Sequence, residues 1–161
     1  MNLKELGGEC ELNIIFTDKV NEKISNEIYD IVKDFTNDFF TQNFPDDIII
    51  DMKFQRTAYL TVNDEVISVI VFTSYDGIPQ ITLMATKREY RGNGYGKILM
   101  KSFIEYLSKM ELNKIELYTF IPEKKPINIS TVTFYESVGF IREKEYPYLW
   151  EDGALKMIYE W

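Results

Sequence analysis

The sequence predicts a mixed α/β domain, a mostly antiparallel sheet with helices packed on it. Two long stretches repeat apolar residues at three- and four-residue steps, which is the helical period. Most of the remaining chain consists of short β-rich segments bounded by turn residues. The two kinds of segment follow one another with no repeat, linker or low-complexity tract between them. A length of 161 residues, 45% of them apolar, is one domain's worth of chain, spanning 1–161. Such a chain buries enough surface to need no disulfide or metal for stability.

The elements follow in order. Glu11 to Phe16 reads as a short strand. Ile24, Ile28, Ile31, Val32, Phe35 and Phe39 then mark one face of an amphipathic helix over 21–40, which Pro45 ends or follows. Residues 46–57 fit neither period. Ala58 to Val62 and Val66 to Ser74 form a hairpin around Asn63-Asp64-Glu65. Asp76-Gly77 and Pro79 mark a further turn before a fourth strand, Ile81 to Ala85. Leu99, Phe103, Leu107 and Met110 line a helix over 94–110. Lys114 to Phe120 alternates as a fifth strand, and Pro122 to Pro126 is a loop. Asn128 to Val138 is a short helix closed by Gly139. Phe140 to Tyr146 and Ala154 to Trp161 are the last strands, with Asp152-Gly153 before the second.

Charge and composition exclude several classes of function. The chain has 18 basic and 26 acidic side chains, a poor match to nucleic acid or an anionic membrane. It has no histidine, which excludes Ser-His and Cys-His nucleophile pairs and removes the commonest metal ligand. Its single cysteine, Cys10, makes neither an internal disulfide nor a Cys-rich zinc site. A polar, acidic start and apolar runs too short to span a bilayer imply a soluble, reducing, cytoplasmic setting. Residues 1–51 hold twelve acids and four bases, which is the whole net charge of −8. That segment is either a solvated helix face or an electrostatic funnel for a cationic ligand.

The chemistry sits in Arg91-Gly92-Asn93-Gly94-Tyr95-Gly96-Lys97, between the fourth strand and the second amphipathic helix. A loop entering a helix there aims free backbone N–H groups at one spot and adds about half a positive charge. Glycines let a phosphate approach the backbone without meeting a Cβ, so the segment reads as an anion cradle. It is not a Walker loop, because three residues separate Gly92 from Gly96 and Ile98 follows Lys97. It is not a dinucleotide fingerprint either, because the third glycine comes one residue early.

Arg91-x-x-Gly94-x-Gly96 resembles the acetyl-CoA signature of the GNAT family of N-acetyltransferases. A second segment, with Asn128, Thr131, Phe134, Tyr135, Gly139 and Phe140, is similar to that family's downstream motif. There Thr131 stands for the usual alanine and Phe134 for the usual leucine. The resemblance covers residues 58–161 well and residues 1–57 only in their strand and helix pattern. It implies a central mixed, mostly antiparallel sheet of six to seven strands flanked by helices and splayed between strands 4 and 5.

It also implies site residues and a reaction. Acetyl-CoA would be the co-substrate, with no metal, and a small cationic or peptidic amine the acceptor. Met84, Ala85 and Thr86 would offer backbone groups to the pantetheine arm, one N–H polarising the thioester carbonyl. Arg91, Gly92, Asn93, Gly94, Tyr95, Gly96 and Lys97 would hold the pyrophosphate; Lys97 is equally an exposed first-turn lysine, and Tyr95 a packing residue. Asn128 would contact the cofactor arm or cap the last helix. Tyr135 would protonate the departing thiolate. For the general base, the strand position that some family members fill with glutamate is Gln80 here. Glu116 and Tyr118, which share a face of the fifth strand, are alternatives, and a relay through water with no dedicated base is another. Phe39, Phe40, Phe44, Tyr146, Tyr148 and Trp150 would line an acceptor pocket or pack the core. Oligomeric state is not readable in the sequence; the family often forms dimers, so a homodimer is an expectation by analogy alone. A non-catalytic acyl-CoA sensor on the same fold is the competing function, and nothing in the sequence reads acyl-chain length.

Overall fold

The computed structural model describes residues 10–35 and 43–161. Its elements are β1 (Leu12–Thr17), α1 (Glu22–Lys33), α2 (Phe44–Phe54), β2 (Arg56–Val62), β3 (Glu65–Tyr75), β4 (Ile78–Thr86), α3 (Tyr95–Ser108), β5 (Lys114–Phe120), α4 (Ile129–Ser137), β6 (Ile141–Tyr146) and β7 (Ala154–Glu160). The strands form one seven-stranded sheet in the order β1-β2-β3-β4-β5-β7-β6. Every pairing is antiparallel except β4 with β5. The tight hairpin turns fall at Asn63-Asp64 and Asp76-Gly77, all four residues at positive φ, as the right-handed twist of the flanking strands demands.

One expectation needs correction. The first helix ends at Lys33, not at 40. The amide of Phe35 reaches back only three residues, to Val32 O at 3.0 Å, which tightens and closes the last turn. Residues 36–42, including Phe39 and Phe40, lie outside the described residues. Pro45 follows the end of α1, as expected, and stands in the first turn of α2, where its missing N–H would have had no intrahelical partner. The run Ile48-Ile49-Ile50 obscured that helix's period. Ile48 and Met52 are buried four residues apart, while Ile50 is 55% and Phe54 85% exposed.

The helices fall on opposite faces of the sheet. α3 and α4 bury Leu99, Met100, Phe103, Leu107, Val132 and Tyr135 on one side, and α1 and α2 bury Ile24, Ile28, Ile31, Ile48 and Met52 on the other. β4 switches allegiance partway along. Val71 pairs with Leu83 and Phe72 with Ile81, so Thr82 is an extra residue in β4. Before it, Ile81 faces the α3/α4 core; after it, Leu83 and Ala85 face the α1/α2 core. The bulge also bends β4 where its pairing with β5 stops. Only Gln80–Glu116 and Ile81–Leu117 are in register, and beyond them the strands part. This is the expected splay.

Candidate active site

The parting of β4 and β5 opens a cleft of about 1300 Å³ between their free ends and the starts of α3 and α4. Met84, Ala85 and Thr86 line one wall, the glycine loop lines one end, and Asn128 and Tyr135 line the side opposite β4. Eleven of the twelve residues expected around the acetyl-CoA arm and pyrophosphate therefore border a single space. Asn93 is the exception. Its side chain turns back and donates to Tyr90 O at 3.3 Å and Arg91 O at 3.2 Å, bracing the loop from within.

The loop end has the local geometry of a capped helix start. Gly94 caps α3 in the left-handed conformation, φ +85°, and accepts the first intrahelical bond from Ile98 N–H at 3.0 Å. The N–H groups of Tyr95, Gly96 and Lys97 precede that bond and have no intrahelical acceptor. The helix dipole adds positive potential there. A Cβ on Gly94 would meet nothing within 4 Å, so backbone conformation dictates the glycine, not crowding. Gly96 is the reverse case. A Cβ there would sit 3.1 Å from Thr86 Oγ1 and 3.3 Å from Phe134 Cε2, so this glycine sets how closely α3 approaches β4 and α4. Arg91 donates through Nε to Thr86 O at 3.3 Å and lays its guanidinium over the Phe35 ring, 3.8 Å from the centroid. Tyr95 packs edge-on against Tyr90, as a packing residue would. Lys97 is exposed on the first turn at the cleft rim.

Along the cleft, Asn128 is 2% exposed and holds the N-cap position of α4, but its side chain makes no capping hydrogen bond. Its amide donates to Phe120 O at 2.6 Å and Thr119 Oγ1 at 3.0 Å, tying the start of α4 to the end of β5. The other end of α4 closes in a Schellman motif: Gly139 N–H donates to Glu136 O and Phe140 N–H to Tyr135 O at 3.0 Å. Tyr135 is thus held by its own carbonyl and by edge-on contacts of its ring with Phe134 and Phe140. Only 6% of Tyr135 is exposed, and burial pushes its phenol well above the usual value. It therefore stays protonated at neutral pH.

Glu116 is not among the residues that line the cleft. Its carboxylate is buried and bound by Lys156 Nζ at 3.2 Å, and the same ammonium bonds Glu143 at 3.0 Å. The hydrogen bond to Glu143, then that to Glu116, raises the Lys156 pKa. This cluster is an internal ion network of β5, β6 and β7. Gln80 and Tyr118 do border the cleft; burial raises the Tyr118 phenol, with Lys156 opposing.

The remaining wall holds residues that no sequence motif marked. Phe35, Thr82, Phe120, Lys125, Glu151 and Asp152 join the expected Phe44 and Trp150 there. Trp150 packs edge-on against Phe120, and Lys125 stands over that ring and 3.9 Å from Asp152. Aromatic spacing alone could not separate these from core residues. Tyr146 packs on Tyr118 instead, and Tyr148 is 98% exposed away from the cleft. Among the described residues of the acidic first segment, only Phe35 and Phe44 border the cleft. Its acids Glu27, Asp30 and Asp34 border a separate hollow of about 220 Å³ with Lys87 and Arg88, where Arg88 bonds Asp34 at 3.0 Å. Among the described residues no acidic cluster has metal-binding geometry, and no helix is long and apolar enough to cross a membrane.

The sheet parts between two parallel strands, and a helix-capping glycine loop stands at one end of the gap. The sequence profile of the acetyltransferase (GNAT) family matches residues 25–140, and the chain belongs to that family. Solved structures share its fold. A GNAT-family protein from Desulfovibrio desulfuricans aligns at TM-score 0.76 and 16% identity, covering 92% of this chain and 99% of the other. The ribosomal-protein-S18-alanine N-acetyltransferase of Escherichia coli aligns at TM-score 0.69 and 16% identity, covering 92% and 94%. An aminoglycoside 6′-N-acetyltransferase complexed with coenzyme A aligns at 0.72 and 13%, covering 92% and 96%. No curated protein matches the chain by sequence.

Proposed function

We propose that this chain transfers the acetyl group of acetyl-CoA to a primary amine by direct attack. The observation that carries the reading is Tyr135, a buried, protonated phenol bordering the same cleft as the anion loop. The loop amides and Arg91 bind the pyrophosphate. Backbone groups of Met84 to Thr86 align the pantetheine arm, and one N–H there polarises the thioester carbonyl. The amine nitrogen bonds to the carbonyl carbon as the C–S bond breaks, and the departing sulfur takes the Tyr135 proton. The amine's surplus proton leaves through water oriented by Gln80 and Tyr118, since Glu116 is committed to Lys156. Glu151 and Asp152 at the open wall favour a cationic acceptor.

Calorimetric titration with acetyl-CoA, desulfo-CoA and ATP tests the loop assignment, and thiol release over an amine panel tests catalysis. One-site binding of both CoA compounds but not ATP, with amine-dependent thiol release, is expected. Absence of CoA binding at millimolar ligand would defeat the reading. The sequestration of Glu116 favours a second reading, a non-catalytic acyl-CoA sensor. Tight binding with thiol release no faster than hydrolysis for any amine would select it.

A further inference from the structure

We infer that Phe120, Trp150 and Asp152 form a subsite for the second cationic group of a diamine-type acceptor, and that the chain's own Lys125 fills it until the acceptor arrives. The inference rests on the proposed amine-acceptor reading and names its substrate class. Two segments build the corner. After β5, the amide of Lys125 donates to Ile121 O at 2.9 Å, a single helical turn that folds the chain back over the strand end. Lys125 Nζ stands over the Phe120 ring, 3.9 Å from its centroid. After β6, Gly153 N–H donates to Trp150 O at 3.0 Å and closes a tight turn over 150–153. A Cβ on Gly153 would fall 2.7 Å from Ile121 Cδ1, so the glycine lets this turn seat against the end of β5. Trp150 there meets Phe120 edge-on, with centroids 5.3 Å apart.

An aromatic face with a carboxylate beside it is what binds an alkylammonium. Lys125 shows that this corner does so, and shows that its hold is loose. The Lys125–Asp152 ion pair is 3.9 Å long, beyond hydrogen-bond reach, and the lysine side chain is 26% exposed. A flexible four-carbon stem lets that ammonium swing into water, so a ligand ammonium replaces like with like. All four residues border the cleft. With Glu151 beside Asp152 on the same wall, the corner holds two acids against one base, and its field favours a cation even with Lys125 in place. The group bound here is not the one that reacts. A nitrogen held on a ring and an acid stays protonated and has no lone pair to attack a thioester. The acceptor therefore carries a second ammonium, remote from its reacting amine.

The test follows the indole N–H signal of Trp150, one of two tryptophans, by NMR during titration with 1,4-diaminobutane at neutral pH and fixed ionic strength. Trp161→Phe assigns the signal, and 1,4-butanediol is the neutral control. The diamine should move the Trp150 signal saturably and the diol should not. Lys125→Ala removes the internal competitor and should tighten diamine binding about two- to fivefold. Asp152→Asn keeps the shape without the charge and should weaken it about two- to fivefold. A Trp150 signal that ignores the diamine, or a Lys125→Ala affinity that is unchanged or weaker, would make Lys125 a structural cation and overturn the inference. Should Lys125→Ala not fold, Asp152→Asn decides alone, and unchanged affinity in it would overturn the inference. Diamine binding at Trp150 with no thiol release from any amine would defeat the transferase reading while upholding the cation subsite. Thiol release from amines with no response at Trp150 would defeat this inference alone.

Discussion

Replacing Tyr135 by phenylalanine removes one oxygen and leaves every ring contact in place. The ring packs edge-on to Phe134 and Phe140, each with centroids 5.5 Å away, and those contacts survive the change. No described residue makes a hydrogen bond to the hydroxyl, so no buried partner is stranded. The stability change should stay within about 1 kcal/mol, or a few degrees in Tm for a chain of this size. Catalysis should respond far more. A positioned general acid contributes about a hundredfold or more, and a hundredfold corresponds to about 2.7 kcal/mol of barrier. We expect kcat, followed as amine-dependent thiol release, to fall about 10²- to 10³-fold. The Kd of acetyl-CoA by calorimetry should move less than about twofold, because the hydroxyl acts on the leaving sulfur and not on the bound phosphates. The pH profile carries a second signature. Burial raises the Tyr135 phenol, so the acid remains loaded past the usual tyrosine value of about 10. Wild-type kcat should show no alkaline decline up to that pH. Unchanged kcat in Tyr135→Phe, or losses of kcat and of acetyl-CoA affinity by the same factor, would refute the assignment of Tyr135 as acid.

Glu116→Gln should leave kcat within about threefold, because the carboxylate binds Lys156 and does not border the cleft; a loss of the acidic limb of the pH profile would restore it as the base. Lys156→Met should unfold at lower denaturant, by about 3 kcal/mol, since it strands the buried Glu116; an unchanged midpoint would show that the cluster adds nothing. Gly94→Glu should abolish acetyl-CoA binding through backbone strain at φ +85° and repulsion of phosphate, and retained micromolar binding would move the pyrophosphate elsewhere. At high pH the buried phenol weakens the fold. Its folded-state pKa lies above its unfolded one, so its contribution is full below about pH 10 and is lost as pH rises beyond. Tyr135→Phe should therefore lose less stability than wild type between about pH 10 and 12 in denaturant titrations, and parallel curves would contradict the burial effect.

Local pattern was enough wherever one element meets water on one side and core on the other. The helical period of Leu99, Phe103 and Leu107, the positive-φ turns at Asn63-Asp64 and Asp76-Gly77, and the cap at Gly139 all follow from residues a few positions apart. The geometry of the glycine loop was legible for the same reason, since a capping glycine and first-turn amides without intrahelical acceptors are local features. Its two glycines nevertheless differ in cause. Gly94 answers to its own dihedral angle, but Gly96 answers to Thr86 and Phe134, which only folding brings near.

What the tertiary structure alone decided concerns faces and distances across the sheet. The extra residue Thr82 reverses the alternation of β4, so Ile81 and Leu83 serve opposite cores although the sequence would place them on one face. That bulge, with pairing limited to Gln80–Glu116 and Ile81–Leu117, creates the cleft. Glu116 looked like a free carboxylate until β7 laid Lys156 against it, forty residues away in sequence. The first segment carries the net charge, but of its described residues only Phe35 and Phe44 border the cleft, where the acids among the described lining residues are Glu151 and Asp152. Short-range periodicity encodes which side of an element is buried. It does not encode which neighbour lies there, and the roles of Glu116, Phe35 and Trp150 depend on that neighbour.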